Sequence, residues 1–430
     1  MMQRRALFLV ALCVTELLSI GLRAADRERL TLLSTQLRPI TEAQKMRNVI
    51  LKDFPRDVDY VTGLLQQVEA RLQAEQADSR QVVDVVGALH GELQTLRALD
   101  AFTPLDDFAA KMTERGIPDR LMELGKLGTG RQLYMPWMQS SYLMVANKAA
   151  LPFLPAGANI NALSYQDLAA WAAAIQKSTG KPPLGFPAGP HGLMHRFLEG
   201  YLLPSYTGGI VVPFRSAAAE DMWSQFAALW QSVDPRSTSY NFMQQPLLAG
   251  DVWIAFDHVS RVLEALRRKP GDFIAFPAPA GPSGRAYMPV LVGLAVMKGT
   301  SDATAPTALI DYLLQPRTQS VTVGSVGFFP VVKSPLPTDI DAGVKLAGTA
   351  IESMQSAPDA LPTLQPTGLG LRSGEFDRVF MNTFQSIVLR GQTARPVLDR
   401  EAATLQTLMA ETGAHCWPPD PPSSGPCEVK

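Results

Sequence analysis

LYMPWMQSSYLMVANKAAL, residues 133–151, is two apolar runs separated by Gln139, Ser140 and Ser141. Each run has the length and content of a buried strand. Polar side chains in the middle of so apolar a segment need hydrogen-bond partners. A chain passing from one lobe to another beside a ligand cleft supplies them. The stretch therefore predicts an α/β molecule of two lobes, with the backbone crossing between them at Ser140.

The flanking sequence agrees. Upstream, Arg29–Ser34, Asp57–Val61 and Val82–Val86 read as strands. Helices are expected from Thr41 to Asp53, from Leu64 to Ala74 and from Glu92 to Leu99, where apolar residues recur at helical spacing. Strands alternating with helices imply a parallel sheet covered by helices. Downstream, Ser164 caps a helix that runs to Lys177, and Pro183–Phe186 is a short strand. Helices follow over His191–Leu203 and Ala217–Val233, then an apolar strand over Gly250–Phe256. Val292–Lys298 is expected to return to the first lobe, and Glu375–Gly391 and Ala394–Ala410 close the chain as a helix pair. The crossings are expected at Gln139–Tyr142, Val290–Gly293 and Gly327–Val331. Lobe one then holds 26–140 and 293–327; lobe two holds 143–290 and 332–430, with a Pro-rich tail from about residue 411.

Composition narrows the function. The 430 residues suit two lobes of ordinary size, and 46% hydrophobic content gives each a core. A net charge of −1 excludes a nucleic-acid binder held by a basic surface. At the N-terminus, Arg4-Arg5 precede an apolar run from Ala6 to Ile20 and a small-residue site at Leu22–Ala25. That is the pattern of a secretory signal peptide over 1–25, and it implies export to the periplasm or beyond. Leu12 before Cys13 argues against a lipid anchor there. Cys416 and Cys427 bracket the tail, and two neighbouring cysteines in an exported chain imply a disulfide. Closing so short a loop contributes about 2–3 kcal/mol, enough to pin a tail.

No catalytic signature is present. The chain has neither GxSxG nor HExxH, and Lys177–Lys181 lacks the order of a phosphate loop. His191, His195 and Glu199 fall at i, i+4 and i+8 and could share a helix face. The simpler reading is a solvated face, so neither a metal nor a cofactor is expected, and no enzyme.

Several segments, taken in order, resemble the extracellular solute-binding proteins of ABC importers, carbohydrate-binding family 1, which includes maltose-binding protein. Pro136, Trp137, Asn147 and Lys148 match the family's first crossover. Ser140 stands where an acid is common and Ala146 where a Tyr is common. Residues 101–107, the Trp171 helix, 250–256, 273–284 and 324–331 follow the family's motifs in sequence. The resemblance implies a periplasmic-binding-protein type II-like fold, two α/β lobes around a cleft with a multi-strand hinge. It also implies a monomer that captures a small solute, a sugar above all, and delivers it to the membrane subunits of an importer. A polyol or glycerophosphate is the alternative solute; a secreted enzyme is a further reading.

Sugars present hydroxyls around apolar ring faces, so their sites combine flat aromatics with amides, carboxylates and guanidinium groups. Strand ends at the cleft are where these are expected. The candidates are Gln36 after the first strand and His90 after the third. Trp137, Gln139 and Ser140 come from the crossover, with Trp137 as the stacking ring. Asp257 and His258 end the 250–256 run, though Asp257 could instead cap the next helix. Tyr287, Gly293 and Phe328 lie at the later crossings, and His191 and Arg372 come from the second lobe. Trp171, Trp223, Trp230 and Trp253 are expected in the core, and Trp417 at the surface.

Overall fold

The computed structural model describes residues 29–37, 39–300, 304–333 and 336–430. The signal peptide expected at 1–25, with Cys13, lies outside the described residues. In chain order the strands are β1 (Leu30–Ser34), β2 (Val58–Thr62), β3 (Val85–Leu89), β4 (Met135–Ser140), β5 (Tyr142–Asn147) and β6 (Leu184–Gly185). They continue as β7 (Ile254–His258), β8 (Phe273–Phe276), β9 (Arg285–Tyr287), β10 (Val290–Val296), β11 (Phe329–Pro330) and β12 (Ala360–Pro362). One sheet has the order β11-β4-β10-β3-β1-β2, a second β6-β7-β5-β8, and β12 and β9 form a separate pair. β1 runs parallel to β2 and β3, whereas β10 is antiparallel to β3 and β4. Each main sheet is the centre of one lobe.

The decisive stretch behaves as its composition requires. β4 belongs to the first sheet and β5 to the second, and Ser141 alone separates them. Ser141 is fully buried, so its polar groups are satisfied within the protein. Its hydroxyl donates to the Met288 carbonyl at 3.1 Å and lies 3.1 Å from the Tyr201 hydroxyl. The Tyr201 hydroxyl accepts the Tyr142 N–H at 3.1 Å. Met288 precedes β10, the next strand of the first sheet. One tyrosine therefore ties together two segments that pass between the lobes.

Three elements differ from their sequence reading. The strand expected at Val82–Val86 lies at Val85–Leu89, because the Val82 and Val83 N–H groups donate to the Glu75 carboxylate instead of to a neighbouring strand. The helix expected at Glu92 begins at His90, where Glu92 accepts the Leu89 N–H at 2.9 Å and closes the first turn. The helix expected over His191–Leu203 begins at Met194 and passes through a π-helical turn at Leu198–Leu202. Trp417, expected at the surface, is buried against Phe376 with ring centroids 5.4 Å apart. The tail around it is held by the Cys416–Cys427 disulfide and by Asp420, which accepts the N–H groups of Ile210, Val211 and Val212. Among the described residues no helix is long and apolar enough to cross a membrane.

Candidate functional site

The parallel strands β1 and β3 end side by side, and their polar residues are locked to each other. Thr35 donates its hydroxyl to Glu92 at 2.5 Å. His90 Nδ1 lies 2.9 Å from the Tyr134 hydroxyl. Burial pushes the Glu92 carboxyl upward and the His90 imidazole down to about 4, so His90 is neutral near pH 7. From the second lobe, Arg196 lies close enough for its charge to draw Glu92 back toward ionisation. A second pair repeats the pattern. Glu42, from the Ile40–Lys45 helix of the first lobe, is buried, and burial raises its carboxyl to about 8 against the pull of Arg261. Arg261 sits on the Val259–Arg268 helix that follows β7.

A cavity of about 620 Å³ separates these helices, lined by Glu42 and Lys45 on one side and by Phe242, Gln244, Ser260 and Arg261 on the other. Arg261 is held in place by the carbonyls of His191 and Asn241, at 3.2 and 3.0 Å, and its guanidinium lies 4.6 Å from the Phe242 ring centroid. The cavity is of the size that holds small organic ligands. The Arg261 guanidinium on one wall and the Glu42 carboxyl on the other can donate to and accept from a polyhydroxylated molecule, and the half-buried Phe242 ring offers it an apolar face.

The sequence profile of the bacterial extracellular solute-binding proteins matches residues 51–320. The chain belongs to this family. No curated protein sequence matches it. Solved structures share its fold at low identity. The GacH receptor of Streptomyces glaucescens GLA.O, solved without ligand and with acarbose, is 17% identical at a TM-score of 0.69, covering 88% of this chain and 98% of that one. Maltose-bound MalE3 of T. maritima is 17% identical at 0.70, covering 88% and 99%. UgpB of Mycobacterium tuberculosis with glycerophosphocholine is 19% identical at 0.67, covering 89% and 98%.

In this solute-binding protein the residues expected at the site are scattered between cleft, hinge and core. Gln36 and His90 stand half-buried at the ends of β1 and β3. Gln139 donates to the Pro330 carbonyl at 3.0 Å, and with the buried Ser140 it lines a second cavity, of about 380 Å³, beside β11. Trp137 is a correction: its indole is fully buried, so no ring face is open to a solute. Gly293 is another. It lies inside β10, where a Cβ would overlap the Tyr134 ring, so the glycine makes room for the tyrosine that meets His90. Asp257 does not cap the next helix. Its fully buried carboxylate accepts the N–H groups of Met243 and His258, and His258 is the cap, accepting the Ser260 N–H on Nδ1 at 3.2 Å. That bond leaves the proton on Nε2, and burial holds the ring neutral, down to about 3.

Phe328 is buried, 5.5 Å from the His258 ring, and Tyr287 is buried in the β9–β12 pair. His191 reaches the cleft through its carbonyl, while its side chain is exposed. Arg372 pairs with Glu375 and Glu411 on the surface, each at 2.7 Å. Sequence reasoning missed Glu42, Glu92, Arg196, Phe242 and Arg261. A usable signal existed for two of them: Glu92 and Arg261 each fall in the first turn of a helix that follows a strand.

Proposed function

We propose that this solute-binding protein captures a small polyhydroxylated solute, a carbohydrate above all, between its lobes. The lobes close on it about the chain crossings at Ser141, ahead of Val290 and after Val331. Membrane subunits of an ABC importer then receive the solute from the closed form, outside the cytoplasm, where a signal peptide over residues 1–25 directs the chain. The protein acts as a monomer and performs no chemistry on its cargo.

The observation that carries this reading is the cavity that sets Glu42 of the first lobe opposite Arg261 and Phe242 of the second. A ligand touching both walls favours the closed form by its differential affinity for it. A phosphodiester headgroup is the second reading, favoured by the Arg261, Arg267 and Arg268 guanidinium groups of the cavity and by the glycerophosphocholine in one structural relative. Lys45, Arg261, Arg267 and Arg268 outnumber Glu42 and Glu264 in that cavity, so it carries a positive excess; the Phe242 ring, which offers a sugar an apolar face, keeps the carbohydrate reading first.

A thermal-shift screen of mono- and oligosaccharides, polyols and glycerophosphodiesters tests both readings. A sugar is expected to raise the melting temperature, and Arg261→Ala or Phe242→Ala to remove the shift while the unliganded melt stays cooperative. A shift with glycerophosphodiesters alone selects the second reading. No shift with any of them ends both.

A further inference from the structure

A cluster on the second lobe is left over from the solute cleft. His195 lies on the Met194–Phe197 helix, Glu199 on the π-helical turn after it, and Asp377 on the Ser373–Phe384 helix packed alongside. His195 Nε2 is 3.7 Å from Asp377 Oδ2, and one donor atom from each of the three side chains lies within 4.8 Å of the others. Glu199 is fully buried. Its Oε1 accepts from Arg196 at 2.6 Å, while Oε2 has no hydrogen-bond partner among the described residues, nor has Asp377 Oδ1. Buried carboxylate oxygens ordinarily have partners. Here two of them belong to carboxyls that cluster with an imidazole.

We propose that His195, Glu199 and Asp377 form a divalent-cation site, suited to a first-row transition ion such as Zn²⁺. The donor set carries the choice. One imidazole and two carboxylates match the ligands of such ions, whereas calcium and magnesium take oxygen alone. The Nε2–Oδ2 separation is close to the edge of a tetrahedron with bonds of about 2.0–2.2 Å, roughly 3.4 Å. Small side-chain shifts bring the third donor in. Arg196 fixes the Glu199 carboxyl through Oε1 and stands 3.9 Å from Asp377 Oδ1. The side chains of His195 and Asp377 are 17% and 27% exposed, which leaves an entry path. His191, which the spacing would add, is not in the cluster.

Chelator-treated full-length protein, free of solute, tests the site by calorimetric titration with Zn²⁺. One equivalent is expected to bind with micromolar affinity. His195→Gln and Asp377→Asn are each expected to weaken it about tenfold or more, the usual cost of disturbing a metal site. Absence of saturable binding overturns the proposal, as does unchanged affinity in both variants. If either variant melts without cooperativity, Co²⁺ added to the wild-type chain decides. Ligand-field absorption of a low-coordinate ion, complete at one equivalent, supports the site, and no such absorption overturns it.

Discussion

At the scale of single residues, burial decides more than residue type. Trp137 has the chemistry of a sugar-stacking ring, yet its side chain is closed inside the first lobe. Trp137→Ala is therefore expected to destabilise the fold by about 3–5 kcal/mol, the cost of emptying a large core position. Denaturant melts measure this; an unchanged midpoint together with lost solute binding would return the ring to the cleft. Glu42 shows the same principle in its charge. A buried carboxyl raised from 4.5 to about 8 holds its proton more tightly in the folded chain than in the unfolded one. Its contribution is full below about pH 4.5 and is lost as pH rises through 8. Glu42→Gln is expected to flatten the decline of melting temperature between pH 5 and 8.5 and to stabilise the protein at the alkaline end. Equal slopes in the two proteins would clear Glu42 of that role. Neither residue could be placed from the sequence, because side-chain accessibility depends on long-range packing. Glu42 meets Arg261 only after more than two hundred residues of chain have been folded between them.

At the scale of elements, strands and helices were legible and their ends were not. Periodicity located β1 and the helices around it, and the polar break, read as a crossing at Ser140, contains the β4–β5 link at Ser141. The shift of β3 by three positions came from Glu75, whose carboxylate captures the N–H groups of Val82 and Val83. A side chain from a neighbouring helix competing for backbone donors leaves no local pattern. Long-range packing hid Tyr201, whose hydroxyl joins Ser141, Tyr142 and the segment before β10. Tyr201→Phe removes that junction and leaves the Tyr142 N–H buried without its acceptor. A loss of about 1–3 kcal/mol is expected, with faster hydrogen exchange at Tyr142 than at Val145 in mid-strand. Exchange rates unchanged at both positions would show that the junction does not brace the crossing.

At the scale of the whole molecule, the two sheets are joined by more than one passage of the chain and approach closely at the third. Gly327, at a φ of +73°, stands where a Cβ would come within 2.6 Å of Leu263 on the second lobe. Gly327→Ala is expected to hold the lobes apart at this point, lowering solute affinity more than thermal stability; equal affinity in calorimetry would argue that closure does not bring these elements together. The one-residue link at Ser141 has a further consequence. A single residue spans at most about 3.3–3.6 Å, so the two halves have no slack for sliding or separation, and swivelling is the freedom left to them. Displacement must then grow with radius from the pivot. A pair of fluorescent labels near Ser141 would register almost nothing on ligation, and the same pair at the outer rim would report nearly the whole excursion.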